Sequence, residues 1–266
     1  MPQSHHKSHH KLYRLAEIYD IAFDFKDFAS ECEFMMSVYE NIIGRKPESW
    51  LEMAAGPARH TLEMARLGLQ ATALDLSPEM VEYGRSLAHS AGVKFEYMCG
   101  DMAEFILKQP VELAGLLLDS ASYLLENETV YRHLNCAADA LVKNGVYILE
   151  MAHPADHLTG RKSTRTDWES ARDGKKVRMI WGDESDKLDV ISQTTETSVH
   201  MIVTENGQST EIVDTCPQRF FTCTEFRALV DASGRFEIVA QYGAMDRQID
   251  LRHKKAWRMI SVLKKR

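Results

Sequence analysis

The stretch Trp50-Leu-Glu-Met-Ala-Ala-Gly-Pro-Ala-Arg-His-Thr-Leu-Glu-Met-Ala-Arg-Leu-Gly68 passes from an apolar strand pattern through a turn of small residues into a helical pattern. A turn without large side chains lets a ligand lie against the backbone, and the helix after it presents unpaired N–H groups. Such a turn suits a nucleotide-like cofactor, or it is a plain strand-to-helix connection. Set against a Gly-x-Gly-x-x-Gly dinucleotide fingerprint centred on Gly56, Ala54 and Arg59 stand at the outer glycine positions. Asp75 closes the next apolar run, about twenty residues on, where a carboxylate can accept hydrogen bonds from both hydroxyls of a ribose, or can be a solvated loop residue. Cys99-Gly-Asp-Met102 then puts an acidic and an apolar side chain after a glycine, the parts needed to bond an adenine amino group and cover its face.

These residues sit in a regular alternation. The runs Trp50–Ala54, Ala71–Leu76, Lys94–Met98, Leu113–Leu118 and Val146–Met151 read as strands, and His60–Leu67, Pro78–Ala91, Asp101–Leu107 and Thr129–Val142 as helices. Strand-helix alternation implies parallel pairing through right-handed crossovers. Ahead of it, apolar residues from Tyr13 to about Ile43 recur at three- and four-residue spacing, which predicts two amphipathic helices. From Arg161 to Cys216 the period changes to alternation, with strands expected at Val177–Trp181, Asp189–Thr195, Ser198–Thr204 and Ser209–Val213 and a tight hairpin at Asn206-Gly207. A helix over Thr224–Ala232, ended by Gly234, and strands Phe236–Tyr242 and Ala256–Leu263 complete the chain. The fold class is α/β: a doubly wound core over 13–160 and 217–266, a helical N-terminal cover, an antiparallel β insertion over 161–216, and a disordered His-rich tail over 1–12.

Composition narrows the function classes. The chain has 266 residues, 32 Lys and Arg against 39 Asp and Glu, and a net charge of -7. That balance disfavours nonspecific binding along a phosphate backbone and favours a neutral or cationic small ligand. No run approaches the roughly 18–20 apolar residues of a membrane span, and Met1 to Lys11 is polar rather than signal-like, so a cytoplasmic location is expected. Five scattered cysteines without a CxxC pair suggest reduced thiols and no zinc site. His5, His6, His9 and His10 have the chemistry of metal ligands but no core to fix their geometry.

Glu52-Met-Ala-Ala-Gly56-Pro-Ala58, Asp75-Leu-Ser-Pro-Glu-Met80, Gly100-Asp101-Met102 and Leu118-Asp119-Ser-Ala-Ser-Tyr123, in this order and at these intervals, resemble the class I S-adenosylmethionine-dependent methyltransferases. The resemblance covers nearly the whole chain. It implies a Rossmann-like sheet ordered 3-2-1-4-5-7-6, with Phe236–Tyr242 and Ala256–Leu263 as the sixth and the antiparallel seventh strands. The inserted sheet is similar to that of the family's small-molecule N-methyltransferases. Ala54 and Ala58 replace the usual glycines of the first turn with the smallest alternative. Residue by residue, the resemblance implies that Glu52, Ala54 and Gly56 line the amino-acid end of S-adenosylmethionine, with Arg59 near its carboxylate or simply in a salt bridge. Asp75 grips the ribose, Leu76 and Met80 pack on the adenine, Asp101 bonds its amino group beside Met102, and Asp119 lies near the methionine portion. Tyr19 matches a tyrosine that many such enzymes lay over the cofactor, or is a half-buried helix residue.

Methyl transfer requires alignment of a nucleophile and exclusion of water, with no covalent residue. A protonated amine or a hydroxyl must also lose a proton, for which His153 and Glu150 at the fifth strand end are candidates, with Tyr123 as a positioning group. The expected activity is methyl transfer (EC 2.1.1 class) to a small-molecule acceptor, an amine before an oxygen, with no metal. A protein or RNA methyltransferase of the same fold and a non-catalytic cofactor-binding partner protein are the alternatives. Neither a membrane nor nucleic acid is the expected partner, and the β insertion is the candidate surface for a homodimer.

Overall fold

The computed structural model describes residues 11–158 and 165–266. His5, His6, His9 and His10 and the start of the expected insertion lie outside the described residues. The central sheet contains β1 (Ser49–Met53), β2 (Gln70–Asp75), β3 (Glu96–Cys99), β4 (Val111–Leu116), β5 (Leu141–Ala152), then β10 (Phe236–Tyr242) and β11 (Arg258–Lys265), in the order β10-β11-β5-β4-β1-β2-β3. Pairings among β1 to β5 are parallel, while β11 runs antiparallel to both β5 and β10. With β11 as the seventh strand and β10 as the sixth, this is the order 3-2-1-4-5-7-6. A second sheet is an antiparallel meander of β6 (Thr166–Arg172), β7 (Lys175–Trp181), β8 (Thr194–Glu205) and β9 (Gln208–Arg219).

The helices are α1 (Ala16–Ala22), α2 (Phe28–Ile43), α3 (Arg59–Arg66), α4 (Pro78–Ser90), α5 (Asn127–Asp139), α6 (Pro154–Leu158) and α7 (Cys223–Ser233). Their ends follow local chemistry. Ser77 caps α4 by accepting the Met80 N–H at 3.2 Å, with Pro78 in the first turn. Thr222 and Glu225 form a reciprocal capping box on α7, and Gly234 ends it in the left-handed conformation. None of the helices among the described residues is long and apolar enough to cross a membrane.

The predicted cover divides into two parts with different allegiances. Helix α2 packs Cys32, Phe34, Met35, Val38 and Tyr39 on the central sheet against Trp50, Ile148 and Ile260. Helix α1 and the 3-10 turn Lys11–Arg14 instead pack Leu12, Ile21 and Ala22 on the second sheet, against Val177, Met179, Val199 and Met201. Residues 11 and 12, expected in the disordered tail, are ordered here because Leu12 is buried and its N–H reaches Asp214 Oδ2 at 3.1 Å.

Three expected elements differ. Residues 101–107 form turns and a short bridge rather than a helix, because Asp101 Oδ1 captures the Ala103 N–H at 2.8 Å and competes with helical bonding. Residues 189–193 are a turn, not the start of a strand, since Asp189 accepts from the Ile191 N–H and the Ser192 hydroxyl. The sequence pattern predicts no strand at β6. Its signal was the Asp173-Gly174 pair, whose φ values of 53° and 78° match those of 51° and 78° at Asn206-Gly207, two tight turns of the same kind.

Candidate active site

A cavity of about 620 Å³ opens over the carboxyl ends of the parallel strands, where the strand order reverses between β1 and β4. This is where ligands bind in open α/β sheets, and the volume lies in the range of small-molecule sites. One wall holds Ala54 and Gly56 after β1, Asp75 and Leu76 at the end of β2, and Asp101 and Met102 after β3. The opposite wall holds Tyr123, Trp168, Trp181, Gln218, Phe220 and Trp257, with Asp119 after β4 at the floor. Tyr13, Tyr19 and Phe23 from the cover roof it.

The β1–β3 wall is held by backbone amides. Asp75 Oδ2 accepts the Gly56 N–H at 2.7 Å and Oδ1 the Ser77 N–H at 2.8 Å, while burial raises its carboxyl above the usual range. Each oxygen keeps acceptor capacity for a ligand hydroxyl. The turn between β1 and α3 has Ala54, Gly56 and Ala58 at φ of 51°, 54° and 58°, so two alanines occupy left-handed geometry. A Cβ added at Gly56 would stand 3.9 Å from Tyr19 Cε1, which puts the Tyr19 ring over this turn. Burial holds the Tyr19 hydroxyl protonated. Met102 is steadied from behind by His133, whose Nδ1–H donates to the Met102 carbonyl at 2.9 Å while Nε2 accepts from the Tyr147 hydroxyl. Burial drops the His133 pKa to about 4, so it stays neutral.

Glu52 and Arg59 line a small pocket that shares Tyr19, Phe23, Ala54 and Leu118 with the main cavity, and Met80 lies apart from both. Glu52 is buried beneath the turn, where it accepts from the Thr61 N–H and hydroxyl and from His60 Nδ1 at 3.0 Å. His60 is held from its other side by Glu31, 2.6 Å from Nε2; burial alone would lower its pKa, but the two carboxylates raise it to about 9. Arg59 makes a two-pronged contact with Asp20, through Nε at 2.6 Å and Nη2 at 2.5 Å. Met80 is buried in α4 at 1% exposure and does not line the cavity.

The proton-acceptor candidates at the β5 end need correction. His153 has both ring nitrogens engaged, Nε2 with the Leu251 carbonyl at 3.0 Å and Nδ1 with the Ala155 N–H at 3.2 Å, so it staples a loop. Glu150 is 1% exposed, accepts the Leu118 N–H at 2.9 Å and lies 3.1 Å from Arg258 Nε, which makes it a brace for the β4 end. Tyr123 does line the cavity, with its hydroxyl in a short hydrogen bond to the Tyr13 hydroxyl and held protonated by burial.

The flap-side wall was largely invisible to motif reasoning, because its members come from five separate stretches. Trp168 donates its Nε1–H to the Ala22 carbonyl at 2.8 Å and packs on Phe23. Gln218 bridges, accepting from Trp181 Nε1 at 3.1 Å and donating to Ser122 Oγ at 3.0 Å. The run Gln218-Arg-Phe-Phe221 splits by alternation: Gln218 and Phe220 line the cavity, while Arg219 and Phe221 pin the flap to the core. Among the described residues, no group of three His, Cys, Asp or Glu could hold a metal ion.

Residues 51–145 match the family model described as a methyltransferase domain. A methyltransferase domain over these residues bears out the resemblance to the class I S-adenosylmethionine-dependent methyltransferases. Solved structures share the methyltransferase fold at low identity. An S-adenosylmethionine-dependent methyltransferase from Clostridium acetobutylicum superposes with a TM-score of 0.74 at 17% identity, covering 94% of this chain and 96% of its own. CalS10, an amino pentose methyltransferase from Micromonospora echinaspora, gives 0.73 at 17%, covering 94% and 97%. KedS8, a sugar N-methyltransferase from Streptoalloteichus, gives 0.71 at 17%, covering 98% and 96%. No curated protein matches the sequence.

Proposed function

We propose that the chain transfers a methyl group from S-adenosylmethionine to an amine nitrogen of a small-molecule acceptor, by in-line displacement. The observation that carries this reading is the continuous cavity over the strand ends, with two carboxylates and a close backbone turn on one wall and aromatic faces on the other. The first wall suits the cofactor: Asp75 has two oxygens for the ribose, Asp101 an acceptor for the adenine amino group, Leu76 and Met102 apolar cover, and the Gly56 turn room at the backbone. When bound, S-adenosylmethionine supplies a methyl group activated by a positively charged sulfur. The chain's own share is orientation and dryness. Tyr13, Tyr19 and Phe23 close the roof against water, and the edge-to-face rings Tyr13 and Tyr19, 5.5 Å apart, tie the roof over the Gly56 turn to the Tyr123 side. The amino pentose and sugar N-methyltransferases of like fold support a nitrogen acceptor on a small ring.

S-adenosylhomocysteine tests the reading. At about a hundred times its dissociation constant it should stabilise the folded state by about 2.7 kcal/mol, and no thermal shift at saturation sinks the assignment. Asp75→Ala should weaken that binding about ten- to a hundredfold, the worth of hydrogen bonds to a charged acceptor. Unchanged affinity in a folded variant removes Asp75 from the ribose.

A further inference from the structure

Apart from Asp75 and Asp101 on the β1–β3 wall, the cavity's charges fall into two kinds. Lys26 is 2.7 Å from Glu31, Arg258 is 3.1 Å from Glu150, and Asp167 is 2.6 Å from Arg178, so each has a partner of opposite sign. Asp119 and Asp156 line the same space without an ion pair among the described residues. Asp119 follows β4, the middle of the sheet, so its side chain can lean to either half. Its Oδ1 accepts the Ala152 N–H of β5 at 2.8 Å, and its electrostatic neighbours are Arg258 of β11, Glu150 of β5 and Asp156 of α6. All of these lie on the side away from Asp75 and Asp101. The carboxylate therefore leans toward the β5 and β11 side of the cavity, where Trp257 lines the wall with Arg258 4.5 Å from its ring centre, although sequence resemblance assigns it to the methionine end of the cofactor. Carboxylates beside aromatic faces form a site for an organic cation.

We propose that Asp119 is the residue that receives the acceptor: its carboxylate binds a ring-bearing ammonium compound at the flap-side end of the cavity and takes its proton before transfer, with Asp156 as the second carboxylate selecting a cation. This rests on the methyl-transfer reading above. The ammonium gives one proton to Asp119 and becomes a neutral amine. Transfer then forms one N–C bond and breaks one C–S bond, whose electron pair stays on sulfur, and the proton on Asp119 leaves to solvent. Burial pushes the Asp119 carboxyl up to about 6 against the pull of Arg258, which suits a group that must accept and release a proton near neutrality. Asp119 sits at φ 60°, and asparagine tolerates that left-handed backbone while its amide oxygen can still accept from Ala152, so Asp119→Asn should fold.

The experiment is calorimetric titration of the full chain, saturated with S-adenosylhomocysteine, using benzylamine and cyclohexylamine against benzyl alcohol and cyclohexanol. At pH 7.5 the amines should bind about tenfold tighter than the alcohols or better, and the preference should fade as the pH drops below about 6. Asp119→Asn should abolish both the preference and its pH dependence while leaving the affinity for S-adenosylhomocysteine within about twofold, and Asp156→Asn should lower the preference about threefold. Amines that bind no better than alcohols, or not at all, overturn the proposal. So does an Asp119→Asn variant that loses S-adenosylhomocysteine as strongly as it loses amines, because the carboxylate then serves the cofactor. Failure of the wild-type chain to bind S-adenosylhomocysteine strikes the earlier reading instead.

Discussion

The β1–β3 wall of the cavity takes its side chains from strand ends held by backbone amides of the adjoining turns of one sheet, whereas the flap-side wall is tied together across the chain. Asp75 is fixed by Ser77 of its own turn and by Gly56 of the turn after the neighbouring strand β1, and Asp101 by Ala103. On the other wall, Trp168 hangs on Ala22, Tyr123 meets Tyr13, and Gln218 reaches Ser122. A buried knot joins the pieces: Asp20 of α1 accepts from Arg59 of α3, from Arg172 of β6 at 2.7 Å and from the Tyr83 hydroxyl of α4 at 2.9 Å. Burial would raise the Asp20 carboxyl, but these arginines hold it below its ordinary value. The β1–β3 wall is thus a property of the central sheet, and the flap-side wall exists only once cover and flap have docked on it.

The sharpest way to break that contrast is Asp20→Ala. It leaves two partly buried arginines with only the half-exposed Asp24, 3.0 Å from Arg172 and 4.0 Å from Arg59, as counter-charge and should cost about 3 kcal/mol, the lower end of the usual penalty for removing one partner of a buried ion pair. Urea denaturation measures the cost, and acrylamide quenching of tryptophan emission should show Trp168 exposed first. A loss below about 1 kcal/mol would mean that apolar packing, not the knot, docks the flap.

The β1–β3 side has its own electrostatic dependence. His60 has a folded pKa of about 9, above the ordinary histidine value of 6.5. Its charge therefore stabilises the fold fully below about pH 6.5, and that contribution, about 3 kcal/mol, is lost as the pH rises through 9. Chemical denaturation from pH 6 to 10 should show the decline, flattened in His60→Gln, and equal slopes would detach His60 from the fold's pH dependence. Asp119 behaves oppositely to a stabilising carboxylate. Its raised pKa means that ionisation between about pH 3.8 and 6 weakens the fold, by up to about 3 kcal/mol. Asp119→Asn should accordingly raise the melting temperature at pH 7, which is the cost in stability that the proposed binding role implies. A lowered melting temperature would make Asp119 structural.

The smallest effect concerns the first turn. Ala54 lies at φ 51°, where a residue with a Cβ is strained by about 1–2 kcal/mol. Ala54→Gly relieves that strain but gains unfolded-chain entropy, for a net stabilisation below about 1 kcal/mol. Thermal melts resolve it, and destabilisation would show that the Ala54 methyl packs productively on the core.

Legibility in the sequence followed the same division. The parallel strands were readable because each is a continuous apolar run that ends at a turn residue, as at Trp50 to Gly56 and Ala71 to Asp75. Asp101–Leu107 misled because its apolar spacing is helical, yet those side chains serve the core from turns: Met102, Phe105 and Leu107 all pack on it. His153 looked well placed at a strand end, but sequence does not reveal that Leu251, 98 positions away, takes its Nε2. Glu52 and Arg59 matched a motif by position, while their partners His60, Thr61 and Asp20 hold them at the small adjoining pocket instead of the main cavity wall.

The sequence by itself determined the alternating strands and helices, the residues Asp75, Asp101 and Met102 at their turns, and the presence of an antiparallel insertion, since these depend on hydrophobic period and on nearby turn residues, while the strand order is what the resemblance to a known family implies. Only the tertiary structure decided which aromatic rings face the cavity, that α1 serves the flap while α2 serves the sheet, and that Asp119 leans toward β5. Those outcomes rest on contacts between distant segments, where a side chain goes to whichever buried partner satisfies it, and no local pattern encodes that choice.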